Sequence, residues 1–264
     1  MNTQIIAHRG ASYLANHENT MEAFQLALDV HANTIELDIR QTFDKILIVF
    51  HNEHINGFPV SALTYHQIQE MTNTSGYQVP TLEEVLLLAR QKIHLLIEFK
   101  EAGYEKKAIT LINSFLSYEE YSVQSFLDIV VRRIKKIDTS VNTGLLVGIQ
   151  DADLSTRFNE YFPIRRLHAC HADFISPHYY LATPEFILRM KHAGIPVLVW
   201  TVDSPKIITH YLTLDIAGII TNRPDVGIFL KSRQEREAAA TAHTREKTFH
   251  LLKKFIPVSG KQKH

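Results

Sequence analysis

Short runs of apolar residues alternate with amphipathic segments along most of the chain. Several runs are near-continuous Val, Ile and Leu, which is typical of strands buried on both faces of a parallel sheet. Nine runs predict strands, at residues 4–8, 34–39, 46–51, 94–99, 122–124, 143–147, 174–177, 197–202 and 218–221. Helical segments separate most of them, so the repeated βα unit predicts either an open doubly wound sheet or a closed barrel.

Capping residues predict the starts of four helices. Asn19 is expected to cap a helix over residues 20–30, because an Asn side chain accepts a hydrogen bond from an unpaired N–H of the first turn. Thr81 begins the Thr-x-x-Glu pattern of a capping box. Thr183 and Ser204 each precede a proline, which suits the first position of a helix.

Nine strands are one too many for an eight-stranded barrel, and the short gap between the second and third runs resolves this. A parallel pair needs a crossover of about a dozen residues or more, for which this gap has no room. We therefore expect a turn near Asp44 and an antiparallel return that brings His51 roughly opposite Glu36. This leaves eight parallel strands, the number that a (β/α)₈ TIM barrel needs, plus one extra antiparallel strand at about residues 46–51.

Composition and charge narrow the class of protein. Apolar residues make up 45% of the 264 and charged residues 21%, as in an ordinary globular enzyme. Lys plus Arg and Asp plus Glu both number 28, so no global field attracts nucleic acid. Residues 1–230 are expected to form one domain, followed by a basic tail at 231–264 with nine Lys or Arg against three Asp or Glu.

The sequence also gives predictions for the tail, the single cysteine and the cellular location. Residues 248–256 place apolar and basic side chains at helical spacing, so the tail is expected to be solvated, to dock on the barrel, or to contact an anionic membrane surface weakly. The single cysteine, Cys170, excludes an internal disulfide and is expected to be a small buried side chain. Without a signal-peptide pattern at the start or a run of about 20 apolar residues, a cytoplasmic setting is expected.

Candidate chemistry gathers at the predicted strand ends, where barrels of this kind form their active sites. His8, Arg9 and Gly10 follow the first strand. A guanidinium binds phosphate oxygens as a fork, and an imidazole exchanges protons near neutral pH. These residues suit an anionic substrate, although a turn with a surface His-Arg pair is the alternative.

Two further strands carry charges at alternate positions, so each pair shares one face of its strand. Glu36 and Asp38 would be costly to bury together without a positive partner, and Mg²⁺ or Ca²⁺ is the natural one. Glu98 is expected to complete this cation site, and Lys100 to hold a phosphate oxygen. The alternatives are an amphipathic edge strand for the first pair and a structural ion pair for the second.

Three other strand ends add candidates. His51, brought near Glu36 by the expected hairpin, becomes a second acid/base group. Trp200, the only tryptophan, is either an apolar wall for the substrate or ordinary core. The segments Gln124-Ser125-Phe126, Thr201-Val202-Asp203 and Thr221-Asn222-Arg223 are lesser candidates at the same end of the barrel.

Together these motifs resemble the glycerophosphodiester phosphodiesterase family over about residues 5 to 230. The resemblance rests on the order and spacing of His8-Arg9-Gly10, Glu18-Asn19-Thr20, Glu36-x-Asp38, His51 and Glu98-x-Lys100, and on later blocks around residues 80–84, 124–126, 200–202 and 219–222. It implies a (β/α)₈ barrel that hydrolyses a small glycerophosphodiester to glycerol 3-phosphate and an alcohol. Related phospholipid-cleaving barrels and a non-catalytic phosphodiester-binding barrel are the alternatives.

The resemblance also implies residue roles. It assigns one divalent cation, Mg²⁺ or Ca²⁺, to three carboxylates, acid/base work to two histidines and phosphate binding to two cations. In that order the residues are Glu36, Asp38 and Glu98, then His8 and His51, then Arg9 and Lys100. The chain departs from the family where His17 replaces a usual Pro and Asn52 a usual Asp, and where residues 53–76 lack an extended insertion. The Asn52 change weakens any support for the basicity of a neighbouring group.

Overall fold

A computed structural model describes residues 3–148 and 159–255, with side chains described as far as residue 241. The strands in these residues are β1 (Gln4–Ala7), β2 (Thr34–Gln41), β3 (Leu47–Val49), β4 (His54–Ile55), β5 (Phe58–Pro59), β6 (His94–Phe99), β7 (Tyr121–Ser125), β8 (Thr143–Val147), β9 (Phe174–Pro177), β10 (Leu198–Val199) and β11 (Gly218–Thr221). Each of the nine predicted runs overlaps one of these strands. The β4–β5 hairpin is the addition that the apolar pattern does not predict.

Eight of the strands run parallel around a barrel, hydrogen-bonded in the order β10, β11, β1, β2, β6, β7, β8, β9. Two parallel bridges, Ile175 with Val197 and His178 with Trp200, join β9 to β10 and close the ring. β3 lies off this ring, antiparallel to β2. The prediction of a TIM barrel with one extra antiparallel strand is confirmed, and an open sheet is excluded.

Helices follow most strands and pack on the outside of the barrel. They are α1 (Met21–Asp29), α2 (Tyr65–Asn73), α3 (Leu82–Ala89), α4 (Glu105–Phe115), α5 (Asp128–Ile137), α6 (Ile164–Cys170), α7 (Pro184–His192), α8 (Pro205–Leu212) and α9 (Pro224–Phe255). Three predicted starts are confirmed: the Thr81 capping box of α3, the Thr183 cap of α7 and the Ser204-Pro205 start of α8. Cys170 is fully buried at the end of α6, as expected.

The cap of α1 differs from the prediction. Thr20 is the N-cap, since its hydroxyl accepts a hydrogen bond from the backbone N–H of Ala23. Asn19 has a left-handed backbone (φ 56°) and turns its side chain inward, where Nδ2 donates to Asp38 Oδ2 at 2.8 Å. A buried carboxylate needs donors, and that need outweighs the local preference of Asn19 for the cap position.

The hairpin of β2 and β3 is confirmed. Ile39 pairs with Val49, and Phe50 N–H donates to the carbonyl of Asp38 at 2.9 Å. The turn is centred on Asp44 as expected, since Thr42 N–H donates to the Ile46 carbonyl at its base. In this register the position opposite Glu36 is one residue beyond His51, so the rough placement of His51 opposite Glu36 holds to within one residue.

Inside the barrel the lower layer is apolar and the upper layer is charged. Ile6, Leu96, Phe174 and Ile220 form a buried cluster across the axis. Side chains two residues further along a strand share its face, so Glu98 stands above Leu96 at the carboxyl end. The apolar layer separates the charges from the opposite end of the barrel, where polar side chains border a cavity of about 210 Å³: Gln4, Thr34, His94, Ser122 and Asn142.

The segment between β3 and α3, residues 50–80, forms a small lobe beside the barrel mouth. It contains the β4–β5 hairpin, a 3₁₀ turn (Val60–Ala62) and α2. Its apolar core packs against Ile48 of β3 and is made by Ile55, Val60, Leu63, Ile68 and Val79. Thr64 and Gln67 form a capping box at the start of α2, which fixes where this helix begins.

The last helix, α9, begins at Pro224 against the barrel and continues to Phe255. Its first turn lies close to β1, where a Cβ added at Gly227 would meet the Ile5 side chain at 2.8 Å. The helix therefore crosses residue 231, and the division of the chain into a domain and a tail stays a prediction. No helix within residues 3–148 and 159–255 has the length and apolar character to cross a bilayer.

Replacing Gly10 by Ala is expected to destabilise the fold by about 2–5 kcal/mol, a fall in Tm of roughly 5–15 °C. Gly10 has a positive φ of 82°, and an added Cβ would lie 2.6 Å from the Ala23 carbonyl carbon, in backbone that cannot move aside. Gly57→Ala is the matched control, because its φ of 86° carries the same conformational cost with nothing within 4 Å. Thermal unfolding of both variants separates steric clash from backbone strain, and equal Tm values would contradict the clash.

Candidate active site

The charged residues predicted at the strand ends meet around one cavity of about 280 Å³ at the carboxyl end of the barrel. His8 and Arg9 directly follow β1, Glu36 lies on β2, Glu98 lies on β6 and Lys100 directly follows it. His51 comes from the segment that follows β3. The full lining is His8, Arg9, Glu36, His51, Glu98, Lys100, Gln124, Phe126, Leu146, Trp200, Thr201 and Ile220. Asp38 is not part of this lining, but it contacts Arg9 and Lys100, which are.

Three carboxylates form the acidic centre of this cavity. Glu36, Asp38 and Glu98 are all buried, and one oxygen from each lies within 4.8 Å of the others. β2 and β6 are parallel with Asp38 beside Glu98, and strand periodicity puts Glu36 on the same face as Asp38. An exposed amphipathic edge, the alternative open at the level of sequence, is therefore wrong.

Two cations partly neutralise the carboxylates. Lys100 Nζ donates to Glu98 Oε1 at 2.6 Å and lies 3.3 Å from Asp38 Oδ1. Arg9 Nε lies 3.3 Å from Asp38 Oδ2, while its Nη1 donates to Glu18 at 2.7 Å. Burial would raise the pKa of Asp38, but Lys100 and Arg9 hold that pKa below its ordinary value. Asp38 is therefore the anionic anchor of the cluster.

The pKa values of the other two carboxylates are shifted in the opposite direction, upwards. Burial, followed by the charges of Asp38 and Glu98, raises the pKa of Glu36 well above its ordinary value. Burial and the charge of Asp38 raise the pKa of Glu98 to about 7. Three carboxylates against two cations leave an excess of negative charge in a buried place. An added positive charge at this point would oppose both shifts, because it favours the ionised form of each carboxyl.

The donor set fits a hard divalent cation. All three candidate ligands are carboxylate oxygens, and Asp38 Oδ1 is buried without a hydrogen-bond partner among the described residues. Mg²⁺ and Ca²⁺ take oxygen ligands of this kind, whereas soft metals prefer the sulfur and imidazole ligands that this cluster lacks within the described part of the chain.

His8 lies at the edge of the carboxylate cluster, and a hydrogen bond holds its ring on the side away from the cavity. Its Nδ1 lies 2.7 Å from Asn222 Oδ1, and its Nε2 faces the cavity 4.0 Å from Glu36 Oε2. Burial and the charge of Arg9 lower the pKa of His8 to about 4. The imidazole is therefore neutral at pH 7 and has one ring nitrogen with a free lone pair.

His51 lies at the start of the small lobe, borders the cavity and is half-buried. Its backbone carbonyl accepts a hydrogen bond from Arg40 Nε at 2.9 Å, which fixes the main chain at this point. Its Nδ1 lies 2.9 Å from Asn52 Oδ1. Burial lowers the pKa of His51, and the charge of Asp38 opposes that shift. Asp38 is thus the carboxylate that acts most on its pKa, while the expected neighbour Glu36 borders the same cavity.

Trp200 forms one wall of the cavity. Its indole Nε1 donates to the Ser176 carbonyl at 2.7 Å, and its ring meets Phe126 edge-on at 5.5 Å between centroids. With its polar atom satisfied inward, Trp200 presents apolar surface to the cavity. Phe126, a lesser candidate in the sequence, completes this wall and is 41% exposed.

A polar trough leads out of the cavity past His51. A space of about 130 Å³ shares His51 with the cavity and continues along Asn52 to His17 and Tyr77, whose rings stack at 4.4 Å. Those two rings also border a larger depression of about 780 Å³ between α1 and the small lobe. His17 stands where the family usually has Pro, so the departure noted in the sequence lies in this trough.

Two residues from the lesser candidate segments of the sequence also lie at the site. Asn222 contacts His8, and Asp203 in turn contacts Asn222. Their position at strand ends is the only signal in the sequence, since they lie more than 190 residues from His8 along the chain.

Comparison with known proteins decides the family. The family model of the glycerophosphoryl diester phosphodiesterases matches residues 8–226, which include every candidate site residue above. The chain belongs to this family. It is a phosphodiesterase, a hydrolase of phosphoric diesters, and its barrel is the fold of its relatives.

Two phosphodiesterase relatives match along most of their length. The putative glycerophosphodiester phosphodiesterase YhdW of Bacillus subtilis is 30% identical over 84% of this chain and 95% of its own. A glycerophosphodiester phosphodiesterase of Caldanaerobacter subterraneus is 31% identical over 87% and 98%.

Solved structures agree in fold. A putative glycerophosphoryl diester phosphodiesterase from Silicibacter pomeroyi superposes with a TM-score of 0.76 at 21% identity, covering 88% of this chain and 94% of that one. An Oleispira antarctica phosphodiesterase, solved in complex with the product sn-glycerol-3-phosphate, gives 0.72 at 18% identity, covering 86% and 96%. At these identities the likeness concerns the barrel alone.

Proposed function

We propose that this phosphodiesterase hydrolyses a small glycerophosphodiester to glycerol 3-phosphate and an alcohol, with one divalent cation, Mg²⁺ or Ca²⁺, held by Glu36, Asp38 and Glu98. The observation that carries the proposal is a single cavity in which three buried carboxylates adjoin two cations and two histidines. The product bound by the Oleispira antarctica phosphodiesterase agrees with the proposed product.

Substrate binding follows from the charges around the cavity. Arg9 and Lys100 border it and carry positive charge next to the carboxylates, so they are placed to hold two phosphate oxygens as negative charge develops there. When bound, the cation supplies a Lewis acid for the phosphoryl oxygen and offsets the charge of its ligands. Trp200 offers the apolar carbon face of the glycerol moiety a wall to lie against.

Proton transfer is assigned to the two histidines, which line the same cavity from different segments. One takes the proton of the attacking oxygen, and the other donates a proton to the leaving alkoxide. The attacking oxygen belongs either to water or to the neighbouring hydroxyl of the glycerol moiety, in which case a cyclic phosphate forms and is then hydrolysed. Phosphorus NMR during turnover separates these routes, because only the second passes through the cyclic species.

The decisive assay uses the purified full chain, stripped of metal with a chelator, with glycerophosphocholine and glycerophosphoethanolamine as substrates. Glycerol 3-phosphate is detected through a coupled dehydrogenase. We expect its release only when Mg²⁺ or Ca²⁺ is added back. Turnover that is unaffected by the chelator would overturn the metal requirement, and release of free glycerol with phosphocholine would overturn the proposed bond cleavage.

Deletion of residues 231–264 in the same assay, with liposome binding as a second measurement, tests whether the basic tail is a separate membrane-contacting segment.

A further inference from the structure

A chain of three polar side chains runs from His8 away from the cavity. His8 Nδ1 lies 2.7 Å from Asn222 Oδ1, and Asn222 Nδ2 donates to Asp203 Oδ2 at 2.7 Å. The other oxygen of Asp203 accepts hydrogen bonds from the backbone N–H of Asn222 at 2.8 Å and from the hydroxyl of Thr221 at 3.2 Å. Asp203 lies before α8 and Asn222 before α9, so two neighbouring βα loops build this chain.

Only one placement of the hydrogen atoms satisfies the donors and acceptors of these three side chains. A carboxylate only accepts hydrogen bonds, so the amide nitrogen of Asn222 must face Asp203. The amide oxygen then faces the other way, where it also accepts a hydrogen bond from Ser12 Oγ at 2.9 Å. An amide oxygen only accepts, so His8 Nδ1 must carry the hydrogen. The remaining ring nitrogen, Nε2, is the one that faces the cavity.

We propose that Asn222, oriented by Asp203, is a positioning residue that holds His8 in its Nδ1–H tautomer and makes Nε2 the atom that exchanges protons with the substrate. The inference rests on the proposed function for its catalytic part, since His8 is there one of the two acid/base groups. Its structural part, the tautomer, is independent of any activity. His51 contrasts with His8, because its amide partner Asn52 is exposed and adjacent in the chain.

Asp203→Asn tests the proposal because it should invert the tautomer. The new amide must keep its oxygen towards the backbone N–H of Asn222, since that donor cannot turn. Its NH₂ group then faces the Asn222 side chain, which has to present its own oxygen and turn its NH₂ towards His8. Nδ1 then accepts, and the hydrogen moves to Nε2. We expect kcat to fall by about 10²- to 10⁴-fold with little change in KM, as when a catalytic imidazole is held in the wrong tautomer.

The spectroscopic measurement is the ¹⁵N chemical shift of the His8 ring, assigned by its loss in His8→Gln. A nitrogen that carries hydrogen and one with a free lone pair resonate far apart, so the shifts report the tautomer directly. We expect Nδ1 to be protonated in the unaltered protein and Nε2 in Asp203→Asn. The double variant Asp203→Asn, Asn222→Asp exchanges amide and carboxylate, so it should restore both the Nδ1–H signal and kcat to within about tenfold.

Asp173→Asn is the matched control. Asp173 also accepts a hydrogen bond from a backbone N–H, that of Thr143 at 2.8 Å, but it lies at the opposite end of the barrel. Its variant should therefore leave kcat and the His8 shifts unaltered.

An unchanged His8 tautomer in Asp203→Asn would overturn the proposal, and so would an inverted tautomer with normal kcat. A double variant that regains the tautomer but not turnover would also overturn it. If Asp203→Asn does not fold, Asn222→Leu replaces it, and a mixture of tautomers is expected. Failure of the proposed function appears separately, as an unaltered protein that releases no glycerol 3-phosphate.

Discussion

Alanine at His8 or at His51 is expected to lower kcat by about 10²-fold or more while divalent-cation binding persists. Each imidazole borders the cavity, and neither is among the three proposed cation ligands. The loss is expected in kcat, because proton transfer assists the transition state and Arg9 and Lys100 still hold the phosphate. Steady-state kinetics with glycerophosphocholine give kcat and KM separately.

The His51 variant is the sharper of the two tests. The main chain at His51 is fixed through its carbonyl and Arg40, so truncating the side chain leaves that contact in place. His54→Ala serves as its control, since His54 is an exposed histidine three residues further along the same segment. A His51→Ala enzyme with near-normal kcat would exclude the two-histidine scheme.

Mg²⁺ or Ca²⁺ is expected to stabilise the protein, and the gain in Tm should grow as the pH rises from about 5.5 to 7.5. At 100 times its Kd a ligand adds about 2.7 kcal/mol, or roughly 5–10 °C for a chain of this size. Glu98, with its pKa raised to about 7, is largely protonated at the lower pH, and Glu36 shifts in the same direction. Protons therefore compete with the cation at pH 5.5 and no longer do so at pH 7.5.

Without a cation, the stability of the protein is expected to change with pH in the opposite direction. A carboxyl whose pKa is higher in the folded than in the unfolded chain stabilises the fold fully below its unfolded value, and that stability is lost as the pH rises through the folded value. For Glu98 the window runs from about 4.5 to about 7. The metal-free protein should therefore lose stability across the interval in which the cation becomes more stabilising.

Differential scanning calorimetry in chelator and in excess cation, at several pH values, measures both curves. Glu98→Gln is expected to abolish the pH dependence of the gain along with most of the cation binding. Glu101→Gln is its control, since Glu101 lies three residues further on and pairs with Arg40. A gain in Tm that is the same at pH 5.5 and 7.5 would contradict the role of Glu98.

The barrel and the acidic centre are predictable because their causes are local. Alternation along β2 puts Glu36 and Asp38 on one face, and a parallel neighbour of similar pattern brings Glu98 beside them. The short gap before β3 is enough to predict an antiparallel return, since no crossover fits. The turn expected near Asp44 gives the register of the β2–β3 hairpin to within one residue, and both His51 and Glu36 border the cavity.

Other features depend on contacts that the local sequence does not contain. Asn19 and Thr20 are both good N-caps, and only the nearby Asp38 decides which of them turns inward. Asn222 and His8 meet because β11 and β1 are neighbours in the closed ring. The β4–β5 hairpin has two residues in each strand, too few for the apolar alternation that predicts a strand.

The small lobe has one further property, which concerns its attachment to the barrel. Its two ends lie side by side, with Val49 N–H donating to the Pro80 carbonyl at 2.9 Å, and its apolar core is separate from those of the barrel. A piece of chain that leaves and returns at one point is exchangeable between proteins at little cost to the rest. Grafting residues 53–80 from a relative, which leaves His51 in place, should therefore change which alcohols are accepted while the carboxylates, the two histidines, Arg9 and Lys100 stay as they are. Selectivity and chemistry can then diversify independently in this scaffold.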